Sequence, residues 1–216
     1  MKQYKHVYIF AALLSLVLYA FGIFTGIYLQ KNTERVIERR LDEIEKSIED
    51  TQLEYLYITS LGDKISCDAL KVIANETTNK LWQIWRELVE LEKAGSSERF
   101  MEVKKEYSYL SIRSWMISSY LKSRCNGDDI ILLYLYSIPC PDCEREGMIL
   151  DELREESRGR LKVFVVDGGL DLPIIKTLKK VYSVNTTPFI VAENKTFSGF
   201  IGKEGLMREL SIKSLA

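Results

Sequence analysis

The chain has 216 residues, 28% of them charged, a formal net charge of −1 and a single histidine. A balance this even gives no basic surface for nucleic acid, so no nucleic-acid partner is expected. The lone His6 excludes a cysteine–histidine catalytic pair or a histidine-built metal site anywhere far from the N-terminus.

Residues 1–6 form a short N-terminal flank, and residues 7–29 then run without one charged side chain: V-Y-I-F-A-A-L-L-S-L-V-L-Y-A-F-G-I-F-T-G-I-Y-L. As a helix rising about 1.5 Å per residue this run reaches roughly 34 Å, enough for the hydrocarbon core of a bilayer. Tyr4, Tyr8 and Tyr28 near its ends suit interfacial anchoring. A cleaved signal peptide has a shorter apolar core of about 7–15 residues and a small-residue cleavage site. Leu18-Tyr19-Ala20 places a bulky residue where such a site has a small one. The expectation is an uncleaved signal-anchor held in membrane lipid through 7–29. Lys2 and Lys5 before it, and Lys31, Arg35, Arg39 and Arg40 after it, slightly favour the cytoplasmic side for the rest of the chain. Long translocated domains obey that rule weakly, so the cysteines weigh more in the orientation.

Residues 31–125 contain no proline, and their apolar positions recur at helical spacing. Ile37, Leu41, Ile44, Ile48, Tyr55 and Ile58 form a heptad seam broken by Thr51. The seam fits packing on a neighbouring helix or, alternatively, homodimerisation. Two more helices are predicted over about 67–93 and 98–122, joined by A-G-S-S at 94–97. So short a link makes them an antiparallel hairpin. Cys67 and Cys125 lie equally far from residue 96, in the middle of the turn. In an antiparallel pair they therefore face each other at the open end, where a structural disulfide can form. Two unrelated buried thiols are the alternative. A disulfide there implies an oxidising compartment, and so an extracytoplasmic C-terminal domain, or else a hyperthermophile cytosol.

All four prolines, Pro139, Pro141, Pro173 and Pro188, lie in the last stretch of the chain, where the pattern changes after N-G-D-D at 126–129. Over residues 128–216 the reading is strand 130–137, helix from Cys143 to about Arg154, and strand 161–167. A helix then starts near Pro173 with Asp171 as cap, followed by a hairpin of strands 189–191 and 196–200 and a last helix over 203–212. The order β-α-β-α-β-β-α predicts a mixed α/β sheet, its first pair parallel and its last antiparallel.

Cys140-Pro141-Asp142-Cys143 sits at the first strand-to-helix junction, the place of a C-x-x-C redox motif. Thr187-Pro188 stands directly before the third strand. With both features at these junctions, residues 128–214 or thereabouts resemble the thioredoxin-like fold. The resemblance implies that Cys140 and Cys143 are the active dithiol and that Pro188 is a cis-proline facing it. Thr187 and Pro188 would then bind an extended substrate peptide. No cofactor beyond the redox-active disulfide is implied. Partners would be protein thiol or disulfide substrates and an unidentified redox partner.

A thiolate at a helix N-terminus meets unpaired N–H groups and the positive end of the helix dipole, which lowers its pKa. Cys140 is therefore the expected nucleophile and Cys143 the resolving cysteine. Two departures from the family pattern bear on this. Pro139 replaces a tryptophan, and Asp142 adds a negative charge expected to oppose ionisation of Cys140. Tyr134 occupies the first-strand position where the family often keeps a buried acid, so proton transfer at Cys143 needs another donor. Two rivals remain open: an inert thioredoxin-like binding module with a permanent Cys140–Cys143 staple, and a zinc site using all four cysteines. The zinc reading is the weaker because Cys67 and Cys125 are far apart in sequence; no metal is expected.

Overall fold

The computed structural model describes residues 10, 13–25, 65–95 and 98–210. The chain divides into two compact units, Met1–Lys64 and Ile65–Ala216. In the first, residues 13–25 are helical (α1), and Phe10, Leu13, Phe21 and Phe24 expose most of their surface. The span expected at 7–29 lies partly outside the described residues; among those described, no helix is long and apolar enough to cross a membrane. His6 and the heptad seam at 37–58 also lie outside them.

In the second unit, α2 (Cys67–Ala94) and α3 (Glu98–Cys125) form the antiparallel hairpin. Ser66 caps α2, its hydroxyl accepting from Ala69 N at 3.2 Å. This is the side-chain cap that a helix start calls for. Next along the chain come β1 (Ile130–Tyr136), α4 (Pro141–Glu156), β2 (Leu161–Asp167), α5 (Pro173–Val181), β3 (Phe189–Ala192), β4 (Lys195–Ser198) and α6 (Lys203–Glu209). The sheet runs β2-β1-β3-β4, with β1 parallel to β2 and β3 antiparallel to both β1 and β4.

The element order matches the expectation, with some ends shifted. α4 begins at Pro141 rather than Cys143, because proline is preformed for the first helical position and Cys140 supplies the cap. Asp171 is not the cap of α5: Leu172 takes that position without a side-chain bond, and Asp171 instead pairs with Lys176 at 2.5 Å.

Side chains of β1 alternate between two cores, as the period of two requires. Ile131, Leu133 and Leu135 face a cluster built with Leu81 of α2, Leu110 and Ile112 of α3, and Ile175 and Leu178 of α5. Leu132 and Tyr134 face a second cluster with Cys143, Leu150 and Leu153 of α4 and Leu206 of α6. The sequence reading set the hairpin apart from the sheet domain, whereas in the structure the hairpin covers one sheet face and shares its core. A helical period reveals which face of a helix is apolar, but not which surface will meet it.

A polar lock fastens the hairpin to the sheet. Lys104 of α3 forms an ion pair with Asp167 at the end of β2, and both side chains are buried. The Lys104 ammonium also lies 5.8 Å from the Phe100 ring centroid and 5.7 Å from that of Tyr136. Asp167 further accepts from Gly169 N at 2.7 Å. Next to it Gly168 N donates to Tyr136 O at 2.7 Å, and a Cβ at Gly168 would stand only 3.2 Å from that same oxygen. Glycine therefore permits the close approach between the ends of β1 and β2.

Candidate active site

β1 ends at Tyr136, and the chain passes through Ser137, Ile138 and a cis Ile138–Pro139 bond into Cys140. Cys140 is the N-cap of α4, with extended backbone; its Sγ accepts from Cys143 N at 3.1 Å. Its carbonyl also accepts from Cys143 N at 3.0 Å and Glu144 N at 3.2 Å. The cysteine sulfur thus lies at the N-terminus of α4, against the Cys143 N–H, where negative charge is stabilised. Cys140 and Cys143 are joined by a disulfide, with Cα atoms 5.2 Å apart. Cys140 is half-buried and Cys143 buried at 5% exposure, so an incoming group reaches Cys140 first.

Thr187–Pro188 is cis, and Pro188 O accepts from Gly199 N at 2.9 Å, which fastens the turn to the end of β4. The Thr187 carbonyl oxygen lies 3.8 Å from Cys140 Sγ. The hydroxyls of Ser137 and Thr187 are hydrogen-bonded at 2.6 Å, tying the end of β1 to the turn before β3. Cys140, Cys143, Thr187 and Pro188 are therefore brought together at one end of the sheet. Cys67 and Cys125 are disulfide-bonded to each other, with Cα atoms 5.9 Å apart, and are not part of this group. Among the described residues no cluster of histidine, cysteine or acidic side chains could hold a metal ion.

Three residues of the site escaped the sequence reading: Arg145, Ser137 and Glu146. Asp142 is not an isolated charge beside Cys140, because Arg145 pairs with it one turn along α4. The guanidinium in turn lies 4.6 Å from the Phe200 ring centroid. The i,i+3 spacing of Asp142 and Arg145 was visible in the sequence. The second residue is Ser137, whose partner lies 50 residues away and left no local signal. The third is Glu146, a fully buried carboxyl on the inner face of α4. Its Oε2 accepts from Ile201 N at 3.0 Å, and its Oε1 has no hydrogen-bond partner. Burial pushes its pKa above the usual carboxylate range, and Asp142 adds to the effect; the N–H groups of Ile201 and Gly202 oppose it. The inward face Cys143, Glu146, Leu150, Leu153 has spacings of a helix stripe with one acid inside it, a signal that could have been read.

Tyr134 fills the core position below the dithiol. Its hydroxyl donates to Cys143 O at 2.7 Å, and its pKa is raised by burial and by the nearby Glu146. The phenol thus fixes the first turn of α4 to the sheet and keeps its proton through the neutral range.

No family model matches the chain. No curated protein matches it either. The solved structures similar to it include thioredoxins. One is thioredoxin-2, a component of the malaria parasite's protein secretion machinery, with 19% identity and a TM-score of 0.32, covering 38% of this chain and 82% of that one. Chloroplastic thioredoxin z is 17% identical with a TM-score of 0.35, covering 44% of this chain and 86% of that one. The germline-specific thioredoxin Deadhead of Drosophila melanogaster is 18% identical with a TM-score of 0.33, covering 44% of this chain and 91% of that one.

Proposed function

We propose that the chain is a membrane-anchored, thioredoxin-like thiol–disulfide oxidoreductase that works by dithiol–disulfide exchange through Cys140 and Cys143. One observation carries the reading: Cys140 caps α4 at the end of β1 with its sulfur 3.8 Å from the Thr187 carbonyl. A helix N-terminus favours the thiolate, and partial exposure admits a substrate sulfur. The Thr187 backbone, beside that sulfur, offers an edge to an extended peptide. Exchange proceeds by attack of the Cys140 thiolate on a substrate disulfide, giving a mixed disulfide that Cys143 resolves.

The anchor rests on the uncharged run at 7–29, which is long enough to span a bilayer as a helix. An extracytoplasmic position for the second unit rests on the Cys67–Cys125 pairing, since such bonds persist mainly in oxidising compartments. Held in this way, the dithiol would act on membrane proteins or newly exported chains.

The test is disulfide exchange by the detergent-solubilised full chain against a peptide disulfide. Wild type is expected to turn over, Cys140→Ser to abolish turnover, and Cys143→Ser to trap the mixed disulfide. If wild type and Cys140→Ser are equally inactive after full reduction, the Cys140–Cys143 bond is a permanent staple in a binding module.

A further inference from the structure

Two stretches outside helix and strand come together at the dithiol. Residues 137–139 lead from β1 into Cys140, and residues 182–188 lead from α5 into β3. The second stretch carries the backbone edge that lies beside the cysteine sulfur. Near its start Val184 N donates to Lys179 O at 2.8 Å, and at its end Pro188 O accepts from Gly199 N at 2.9 Å. Between these two points Asn185 and Thr186 are exposed and Thr187 is half-buried. Thr187 turns its carbonyl oxygen to Cys140 Sγ, at 3.8 Å, and its hydroxyl to that of Ser137, at 2.6 Å. Ser137 is itself half-buried and stands three residues before Cys140. Its hydroxyl therefore reaches from the stretch that carries the nucleophile to the stretch that carries the edge. Threonine is branched at Cβ and has few open rotamers, so holding its Oγ1 also restrains its backbone.

We propose that Ser137 is a positioning residue for peptide substrates: its bond to Thr187 holds the Thr187 edge beside Cys140 before a peptide arrives. The proposal rests on the dithiol reading given under Proposed function, and adds to it the residue that fixes the edge. An edge that must be ordered on binding costs part of the interaction free energy, whereas an edge held beforehand does not. Ser137 acts through Thr187 and not on the sulfur, so its effect falls on binding and not on the exchange step. The substrates that gain are extended peptides, whose backbone groups on either side of a cysteine can pair with the edge. A small disulfide without a peptide backbone makes no use of the edge and needs only Cys140. Ser137 thus sets the preference of the site for protein disulfides over small ones.

The test compares two disulfides in single-turnover oxidation of the reduced, detergent-solubilised full chain. One is a peptide with an intrachain disulfide, followed by acid quench and thiol alkylation. The other is dithiobis(nitrobenzoate), followed by its coloured thiolate. Background is set with a variant lacking Cys140 and Cys143. In Ser137→Ala the half-saturating peptide concentration is expected to rise roughly three- to tenfold, the effect of one lost hydrogen bond, with the limiting rate within about twofold of wild type. The rate with dithiobis(nitrobenzoate) is expected to stay within about twofold. Ser137→Thr, which keeps a hydroxyl, should restore most of the peptide affinity. Thr187→Val removes the same bond from its other end, so adding Ser137→Ala to it should cost nothing further. An unchanged half-saturating concentration in folded Ser137→Ala overturns the assignment. An equal loss with both disulfides also overturns it, because Ser137 would then act at the sulfur, and so does an additive double variant. In these three cases wild-type turnover leaves the dithiol reading intact. If Ser137→Ala does not fold, Thr187→Val decides, since unchanged peptide affinity there overturns the assignment. Wild type inert toward both disulfides overturns the dithiol reading, and the Ser137 assignment with it.

Discussion

Replacing Lys104 by methionine keeps the apolar stem and removes only the ammonium that closes the lock between α3 and the end of β2. Asp167 is left buried, with the Gly169 N–H at 2.7 Å as its remaining bond. Removing one member of a buried ion pair generally lowers stability by about 3–5 kcal/mol, because the survivor stays desolvated and uncompensated. The retained Gly169 bond places the expected loss near the low end, about 3 kcal/mol. Contact of the ammonium with the Phe100 and Tyr136 rings vanishes in the same step and is part of that figure. With a urea dependence of about 2 kcal/mol per M, the unfolding midpoint should fall by roughly 1.5 M. Trp115, which packs edge-on against Tyr182 at 6.2 Å, gives a fluorescence signal for the transition. The double variant Lys104→Met, Asp167→Leu should lie within about 1 kcal/mol of wild type, since an apolar replacement of both partners removes the orphaned charge. A single-variant midpoint within about 0.3 M of wild type, or a double variant no better than the single, refutes the reasoning.

Two further outcomes are expected. Glu146 has a raised folded-state pKa, so the native state holds its proton longer than the unfolded chain. Its contribution to stability therefore declines as pH rises from the ordinary glutamate range, near about 4.3, through the folded value. Glu146→Gln should lose that decline, gaining on wild type as pH rises over this interval; parallel denaturation-midpoint profiles for the two would contradict it. The Cys67–Cys125 bond closes a loop across a separation of 58 residues. Chain entropy makes it worth about 4 kcal/mol, so the Cys67→Ser, Cys125→Ser variant should unfold at markedly lower urea while keeping the dithiol exchange rate. Loss of exchange at low urea, where the variant is still folded, would mean that this bond shapes the site.

The sequence announced those parts of the molecule that carry a local period. β1 reads as an apolar run because both of its faces are covered, and α2 and α3 read as helices by their spacing. The dithiol and the proline turn were legible because each lies at a junction between elements. What escaped was set by contacts between distant segments. Lys104 reads as a solvated charge within α3 until Asp167 is brought over it, and the buried Ser108, Ser111 and Ser114 look like a polar face. The antiparallel register of α2 and α3 could be inferred from a short link, yet the surface that receives them could not. Glu146 was visible only to a reader asking why an acid stands among Cys143, Leu150 and Leu153 on one stripe.

The covering of the sheet by the hairpin decides where the chain can be cut. A fragment starting at residue 128 would carry every element of the sheet and the whole dithiol, and would look complete by motif. It would also bare Leu133, Leu135, Phe164 and Val191, which α2 and α3 help to cover, to water. An apolar sheet face of that kind associates with copies of itself. The compact unit that keeps this face covered begins at Ile65, and its first helix starts 73 residues upstream of Cys140.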